Sequence, residues 1–359
     1  MSQTVTNEAV FEALSHVLDP EIKKDLVSLN MIQNVKVDEN NKVSLTVVLT
    51  TPACPLKNTI TKEVTEAVMA IEGVQDVEID LSARVRSDGQ KRKVKLPIKN
   101  VVAVASGKGG VGKSTIAVNL AVALARAGAS VGIMDADIYG PNLPTMMGVT
   151  TPPTMDGEKI VPPVSFGVKV ISIGFFVPPD QPLIWRGPML HNAIRQFVED
   201  VEWGELDYLI VDLPPGTGDV QLSLTQHLPL SGGIIITLPQ DVSLEDARRG
   251  LYMFGKLNVD VLGVVENMSF LETPDGERID VFGSGGGKKL AEEAQVPFLG
   301  EIPMDPRVRI GGDKGEPVVI AEPENPSARA MNDVAENLAA RLSLHALENS
   351  EVLMEQSND

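Results

Sequence analysis

The sequence GKGGVGKS at residues 107–114 constrains this chain more than any other stretch. It has the spacing G-x-x-x-x-G-K-[ST] of a phosphate-binding loop, and it lies between an apolar run, VVAVA, and a helical pattern. Glycines let backbone N–H groups turn toward phosphate oxygens, and the following helix contributes the positive end of its dipole. The predicted nucleotide-contacting residues are Gly107, Lys108, Gly109, Gly110, Val111, Gly112, Lys113, Ser114 and Thr115.

Polar side chains in and near this loop predict Mg²⁺-dependent phosphate chemistry. Lys113 is placed to reach the β- and γ-phosphates, and the Ser114 hydroxyl is placed to ligate Mg²⁺. Asp212 ends the apolar strand pattern DYLIVD, so its carboxylate is a second candidate ligand, with a strand-end cap as the alternative role. The loop LPPGTG that follows is a candidate sensor of the γ-phosphate.

Asp135 and Asp137 lie at the end of another apolar run, SVGIMD. The carboxyl ends of parallel strands meet at the edge of the sheet that faces the ligand crevice. We therefore predict that Asp137 positions the attacking water, with stabilisation of a turn as the alternative.

Short apolar runs alternate with helical patterns from residue 101 onward, which is typical of a mostly parallel sheet flanked by helices. Residues 99–347 are thus predicted to form an α/β P-loop NTPase domain. Residues 1–84 are predicted to form a small α+β domain, which begins with a helix over residues 7–18. Residues 85–98 are predicted to form a basic linker. The alternative is that they form a patch for nucleic-acid binding or targeting. Residues 348–359 are predicted to form a disordered acidic tail.

The charge balance narrows the classes of partner. Asp and Glu number 49 against 31 Lys and Arg, and a net charge of −18 disfavours binding to nucleic acid or to anionic membranes. No apolar run is long enough to span a membrane, and no signal-peptide pattern begins the sequence. The single cysteine, Cys54, excludes an internal disulfide. We expect a cytoplasmic protein that binds neither nucleic acid nor membrane.

Several longer motifs resemble one family. KGGVGKST, with its second lysine, resembles the deviant phosphate-loop ATPases that include MinD, ParA and the nitrogenase iron protein. DADIYGPNLPTMMG, DYLIVDLPPGTGDVQLSL, VLGVVENMS and VFGSGGG narrow the resemblance to the Mrp/ApbC branch, the iron–sulfur carrier ATPases. DPEIKKDLVSLNMI and TTPACPL resemble the SufT/PaaD-type domain that is often fused to them.

This resemblance implies a homodimer that hydrolyses ATP with Mg²⁺ and exchanges iron–sulfur clusters with client apoproteins or an assembly scaffold. In the wider family the extra lysine reaches the partner's nucleotide, so Lys108 is expected to act in trans, with a solvated loop lysine as the alternative. The resemblance also implies that Asn267 contacts the adenine edge and that the backbone around Pro303 flanks the base.

The chain departs from the family at the usual cluster ligands. Most members carry C-P-x-C shortly after ENMS, whereas Thr273 and Gly276 stand here at the two cysteine positions, around a retained Pro274. Neither side chain is a ligand for cluster iron. Cys54, just before a predicted helix, is the remaining candidate ligand or reactive thiol, with a small buried apolar residue as the alternative.

Three functions are consistent with these observations. The first is an ATP-hydrolysing carrier or assembly factor for iron–sulfur clusters. The second is an ATP-gated dimeric regulatory protein that binds no cluster, which the missing C-P-x-C keeps open. The third is a MinD/ParA-like positioning ATPase, which is disfavoured because no Lys or Arg follows Arg341 to bind anionic lipid.

Overall fold

The chain divides into two compact units, Met1–Arg86 together with Ser343–Asp359, and Ser87–Leu342. The computed structural model describes residues 5–87, 96–138, 140–176, 187–273 and 275–357. Most of the basic linker predicted for 85–98 lies outside the described residues, so that prediction remains open.

Residues 5–86 of the first unit form a three-stranded sheet and two helices. In chain order the elements are α1 (Asn7–Leu14), β1 (Ile32–Val37), β2 (Lys42–Leu49), α2 (Lys57–Met69) and β3 (Asp76–Ala83). β2 is the middle strand, antiparallel to β1 and parallel to β3. Alternation along KVSLTVVL buries every second side chain of β2, as expected for a strand with one face on a core. The helix predicted to reach residue 18 ends at Leu14, because Leu18 forms a β-bridge with Asp25.

The second unit is an α/β domain. Its strands are β4 (Ile98–Ser106), β5 (Val131–Asp135), β6 (Thr154–Asp156), β7 (Lys159–Val161), β8 (Val164–Ser165), β9 (Val168–Ser172), β10 (Leu206–Asp212), β11 (Gly232–Thr237), β12 (Val261–Glu272), β13 (Arg278–Ile279) and β14 (Phe298–Met304). Its helices are α3 (Lys113–Arg126), α4 (Leu143–Met146), a 3-10 turn (Ile173–Phe176), α5 (Gly187–Glu199), α6 (Asp219–His227), α7 (Asp241–Lys256), α8 (Gly286–Ala294), α9 (Pro306–Lys314), α10 (Val318–Ala321) and α11 (Pro326–Ser357), whose last part belongs to the first unit.

Among the described residues, nine strands form one sheet in the order β13-β12-β11-β4-β10-β5-β9-β8, with β14 also paired to β12. The pairings that link β14, β12, β11, β4, β10, β5 and β9 are parallel, and the edge strands β13 and β8 are antiparallel. Helix α3 packs on β5, β10 and β4, and helix α7 packs on β11 and β4. The predicted fold class is therefore confirmed.

Three neighbouring strands, β4, β10 and β5, position the site. Their residues are almost all buried, which explains why their sequences are near-continuous apolar runs. Asp212 at the end of β10 pairs in register with Asp135 on β5 and with Val104 on β4. The loops that follow the three strands consequently leave the sheet at the same edge.

The C-terminal residues differ from the prediction. The sequence predicts an ATPase domain to residue 347 and a disordered tail at 348–359, but α11 continues to Ser357, and residues from 343 onward belong to the first unit. ENSEVLMEQS is rich in Glu, Leu, Met and Gln, which are strong helix formers, so the helix continues through an acidic segment. The other predicted domain boundaries stay predictions. In the part of the chain that the structure describes, every helix is too short or too polar to cross a membrane.

Candidate functional site

The predicted phosphate-binding loop connects β4 to α3, and two of its glycines are required by close contacts. Gly112 caps α3 in a left-handed conformation, with φ of 84°, and a Cβ there would overlap the side-chain amide of Asn267. A Cβ on Gly107 would overlap the backbone of Asp246 in α7. The loop is therefore held between α7 and the middle of β12.

A buried cluster of polar side chains lies at the start of α3. Lys113 Nζ donates a hydrogen bond to Asp212 Oδ1 at 2.5 Å and lies 3.8 Å from Asp137 Oδ2. The Ser114 hydroxyl donates to the other oxygen of Asp212 at 2.5 Å. Asp212 is 0% exposed and Lys113 is 6% exposed. The structure thus brings together four of the predicted site residues, contributed by three segments far apart in the sequence.

This cluster fits a magnesium ion. Mg²⁺ prefers oxygen ligands, and the Ser114 hydroxyl and the Asp212 carboxylate present oxygen atoms side by side. Burial raises the pKa of Asp212, while the charge of Lys113 and the hydrogen bonds from Lys113 and Ser114 oppose that shift. A cation at this position would also oppose the raised pKa of Asp212, as the charge of Lys113 does, because it favours the ionised carboxylate.

Asp135 organises the loop that carries Asp137. Its Oδ1 accepts a hydrogen bond from the backbone N–H of Asp137 at 3.1 Å. Its Oδ2 accepts from the backbone N–H of Leu143 at 3.3 Å and from the Ser172 hydroxyl at 2.9 Å. Burial, and secondarily the nearby charge of Asp212, raise the pKa of Asp135 to about 8. One buried carboxyl group therefore holds both ends of the segment 137–143 and ties it to β9.

A cavity of about 720 Å³ opens beside the phosphate-binding loop. Its lining includes Gly112, Thr115, Asn142, Asn267, Pro303 and Met304. Asn267 Nδ2 donates to the carbonyl oxygen of Val111 at 2.8 Å, so this side chain joins the cavity wall to the loop. The volume and the mixture of apolar surface with a few amide groups suit a small aromatic ligand such as a nucleoside. Two residues of the predicted nucleotide-binding loop, Gly112 and Thr115, thus line the same cavity as the predicted base contacts Asn267 and Pro303.

Lys108 lies in the loop but outside the buried cluster. Its backbone carbonyl accepts a hydrogen bond from the Ser106 hydroxyl at 2.9 Å, and the residue is half-buried. Among the residues that the structure describes, none forms a hydrogen bond or ion pair with the Lys108 ammonium group. That group is therefore available for a ligand or partner.

Thr273 and Gly276, at the two positions where the family usually carries the cysteines of C-P-x-C, lie between β12 and β13. The backbone N–H of Gly276 donates to the Thr273 carbonyl at 2.9 Å, and the Glu277 N–H donates to the Thr273 hydroxyl at 3.0 Å. Pro274 lies outside the described residues. Within the described ranges, no group of three or more His, Cys, Asp or Glu side chains is arranged to hold a metal ion.

Cys54 belongs to the apolar core of the first unit. It is 8% exposed and clusters there with residues that include Ile60 and Val64 of α2. This placement fits the alternative role of a small buried residue, and the ligand role stays a prediction.

Three residues of the site are missing from the sequence predictions: Ser172, Asn142 and Glu266. Ser172 bonds Asp135, and Asn142 lines the cavity. Glu266 is buried in the middle of β12 and accepts hydrogen bonds from the Ser269 hydroxyl and from the backbone N–H groups of Gly285 and Gly287, at the start of α8. A signal for Glu266 is present, since it is a charged residue inside the apolar pattern VLGVVENMS.

Residues 97–339 match the family model described as "ParA: NUBPL iron-transfer P-loop NTPase". The chain belongs to this family. Residues 7–81 match a second model, described as "Iron-sulfur cluster assembly protein". These two matches confirm the family resemblance that the sequence motifs indicate for each domain.

The family relationship extends over nearly the full length. A Synechocystis protein named iron–sulfur cluster carrier protein is 51% identical over 352 residues, which cover 96% of this chain and 99% of the relative. A Deinococcus radiodurans protein of the same name is 52% identical over 345 residues, 95% and 97% of the two chains. A solved Archaeoglobus fulgidus nucleotide-binding protein in complex with ADP is 38% identical, with a TM-score of 0.57 over 64% of this chain and 90% of the other.

We predict that stability depends on pH through Asp135. Its pKa is raised from 3.8 to about 8 on folding, so the folded state holds a proton that the unfolded state releases. The stability contribution of this group is therefore present near pH 4 and is lost as the pH rises toward 8. Replacement by Asn removes the titration, so the melting temperature of Asp135→Asn minus that of the wild type should increase from pH 5 to pH 8.

This difference is measured by calorimetry in buffers free of nucleotide and Mg²⁺. The exposed Asp156, on β6, supplies the matched control, and its Asn variant should show no such trend. A difference that stays constant or decreases with pH would contradict the assignment of the proton to Asp135.

Proposed function

We propose that this protein is an ATP-hydrolysing carrier or assembly factor for iron–sulfur clusters. The observation that supports the ATPase part is the buried cluster of Lys113, Asp212 and Ser114 beside the cavity lined by Asn267 and Pro303. The carrier part is supported by membership of the iron-transfer family and by relatives named iron–sulfur cluster carrier proteins. Clusters are in this proposal the cargo of the protein.

ATP binding follows from the chemistry of the loop. Backbone N–H groups of residues 107–114 bind the phosphate oxygens, and the Lys113 ammonium group exchanges its contact with Asp212 for the β- and γ-phosphates. Ser114 and Asp212 would hold Mg²⁺, which when bound neutralises charge on the phosphate oxygens. Asn267 contacts the adenine edge, and the backbone at Pro303 flanks the ring.

Hydrolysis depends on Asp137 and on a second copy of the chain. The Asp137 carboxylate is buried at the same sheet edge as Lys113, so it can orient a water toward the γ-phosphate in a site shielded from bulk solvent. In the homodimer, the Lys108 ammonium group of each protomer stabilises charge at the nucleotide of the other. ATP binding and cargo transfer are coupled because ATP favours the closed dimer.

The cluster itself would be received from an assembly scaffold and passed to client apoproteins. Cys54 is the one thiol of the sequence, so a dimer offers two thiolates, enough for a bridged cluster only with outside ligands such as glutathione. A second candidate function is an ATP-gated dimer that regulates partners and holds no cluster. The buried position of Cys54 and the Thr273 turn favour this alternative.

The compartment is inferred from the thiol and from charge. A free cysteine suits the reducing cytoplasm, and a net charge of −18 disfavours docking on nucleic acid or anionic lipid. We therefore place the proposed activity in the cytoplasm, without a nucleic-acid or membrane partner.

Lys113→Ala should lower ATP turnover about 100-fold or more, because it removes the charge that contacts the phosphates. Phosphate release with Mg²⁺ and ATP measures this effect. The matched control is Lys99→Ala. Lys99 pairs with Asp207 at 2.8 Å, at the opposite end of β4 and β10, so this variant removes another lysine–aspartate pair away from the site. The control should keep nearly full turnover. Wild-type turnover in Lys113→Ala would show that the site is wrongly assigned.

Lys108→Ala and Asp137→Ala should each abolish most turnover alone, and a mixture of the two should recover part of it. A mixed dimer contains one site with an intact Asp137 and the partner's Lys108, so equal mixing should restore roughly a quarter of wild-type turnover. Phosphate release after co-incubation measures this recovery. Absence of recovery, in a mixture shown to exchange subunits, would mean that Lys108 acts within its own protomer.

Anaerobic reconstitution with iron, sulfide and glutathione should load a cluster on the wild type and not on Cys54→Ser. Visible absorbance and iron and sulfide per dimer measure the loading. Cys54→Ala keeps the apolar character of the buried position, so it controls for disruption of the core and should also lack the cluster. Equal loading of all three proteins would exclude Cys54 as ligand. Loading of none would favour the second candidate function.

A further inference from the structure

Gln221 is a polar side chain that the fold buries. It lies in the first turn of α6 and is 1% exposed. Neither its Nε2 nor its Oε1 makes a hydrogen bond with any residue that the structure describes. With Leu224 and Thr225 it forms the buried face of α6, at the spacing of one helix stripe.

An unpaired amide at such a position is unfavourable. The Gln221 side chain can donate two hydrogen bonds and accept two, and burial removes the water that would otherwise satisfy them. The neighbouring buried positions of α6 are filled by Leu224 and, at the helix end, Leu228, which belong to the main apolar core. An apolar residue of the same length would therefore fit position 221 better in this state. A contact of the amide in another state would compensate for this burial.

Position 221 follows the loop 213–218, which contacts the phosphate-binding loop directly. The backbone N–H of Gly216 donates to the carbonyl of Ser106, immediately before the phosphate-binding loop, at 2.9 Å, and a Cβ on Gly109 would lie in ordinary van der Waals contact with the Pro215 ring, at 4.0 Å. Leu213 N–H donates to the Val104 carbonyl at 3.1 Å. Movement of this loop when ATP binds would thus be transmitted to the first turn of α6.

We propose that Gln221 is a positioning residue for ATP hydrolysis, whose side-chain amide binds the backbone of the loop 213–218 when ATP is bound and is unpaired when it is not. The inference rests on the proposed ATPase function and adds a residue to it. Because the amide is paired in one state only, it destabilises the nucleotide-free protein and stabilises the ATP-bound arrangement relative to it.

The test is Gln221→Met, which keeps the length of the side chain and removes both polar groups. Without nucleotide, its melting temperature should exceed that of the wild type by about 2–4 °C. The increase in melting temperature on adding Mg²⁺ and ATPγS should be smaller than in the wild type. Turnover at saturating ATP should fall about fivefold with a smaller change in KM, since the lost bonds are made after binding.

Thr225→Val is the matched control on the same face of α6. The Thr225 hydroxyl donates to the Gln221 carbonyl oxygen at 2.8 Å, so it is already paired in this state. Its removal should leave the melting temperature equal or lower and the response to ATPγS unchanged. Gln221→Leu serves as a second apolar variant with the same expected direction.

The outcomes separate this inference from the function on which it rests. If the wild type responds to ATPγS and Gln221→Met responds equally, the positioning role is overturned and the ATPase function stands. A lower melting temperature or loss of folding in both apolar variants would show that the amide serves the nucleotide-free fold, which also overturns the proposal. If the wild type itself shows no response to ATPγS and no turnover, the proposed function fails and the inference fails with it.

Discussion

The ion pair between Lys113 and Asp212 is the interaction on which the rest of the site depends. Both groups are removed from water, and such burial is unfavourable unless the pair is close and its remaining polar atoms are bonded. The 2.5 Å contact and the Ser114 hydrogen bond meet this condition. The pair joins the first residue of α3 to the last residue of β10, so it fixes the phosphate-binding loop against the centre of the sheet.

Three carboxyl groups surround one ammonium group at this edge of the sheet. Asp212 and Asp137 lie near Lys113, and Asp135 lies behind them in register with Asp212. Burial, and secondarily the nearby charge of Asp212, raise the pKa of Asp135, so this third carboxyl group tends to hold its proton. The same arrangement suits a site for a magnesium–nucleotide complex, because the carboxylates attract the cation while Lys113 and the backbone N–H groups attract the phosphates.

The sequence alone predicts the central residues of this site but not the residues that surround them. GKGGVGKS is a contiguous motif, Asp212 ends a recognisable apolar strand and Asp137 follows another, so the topology of a parallel sheet brings them together. The contact of Ser172 with Asp135 depends on the pairing of β9 with β5, and β9 is short and lies in a segment without a clear helical or strand period. The burial of Gln221 likewise follows from tertiary packing of α6, since VQLSLTQ does not have an obvious apolar stripe. The continuation of α11 through an acidic segment follows the high helix propensity of its Glu, Leu, Met and Gln residues.

The most direct test of this account is a crystal structure with Mg²⁺ and a non-hydrolysable ATP analogue. The account predicts that Lys113 Nζ leaves Asp212 Oδ1 for the phosphate oxygens, that Ser114 and Asp212 ligate the metal, and that the purine lies between Asn267 and Pro303. An analogue bound elsewhere, or bound at the loop with the Lys113–Asp212 contact unchanged, would contradict it.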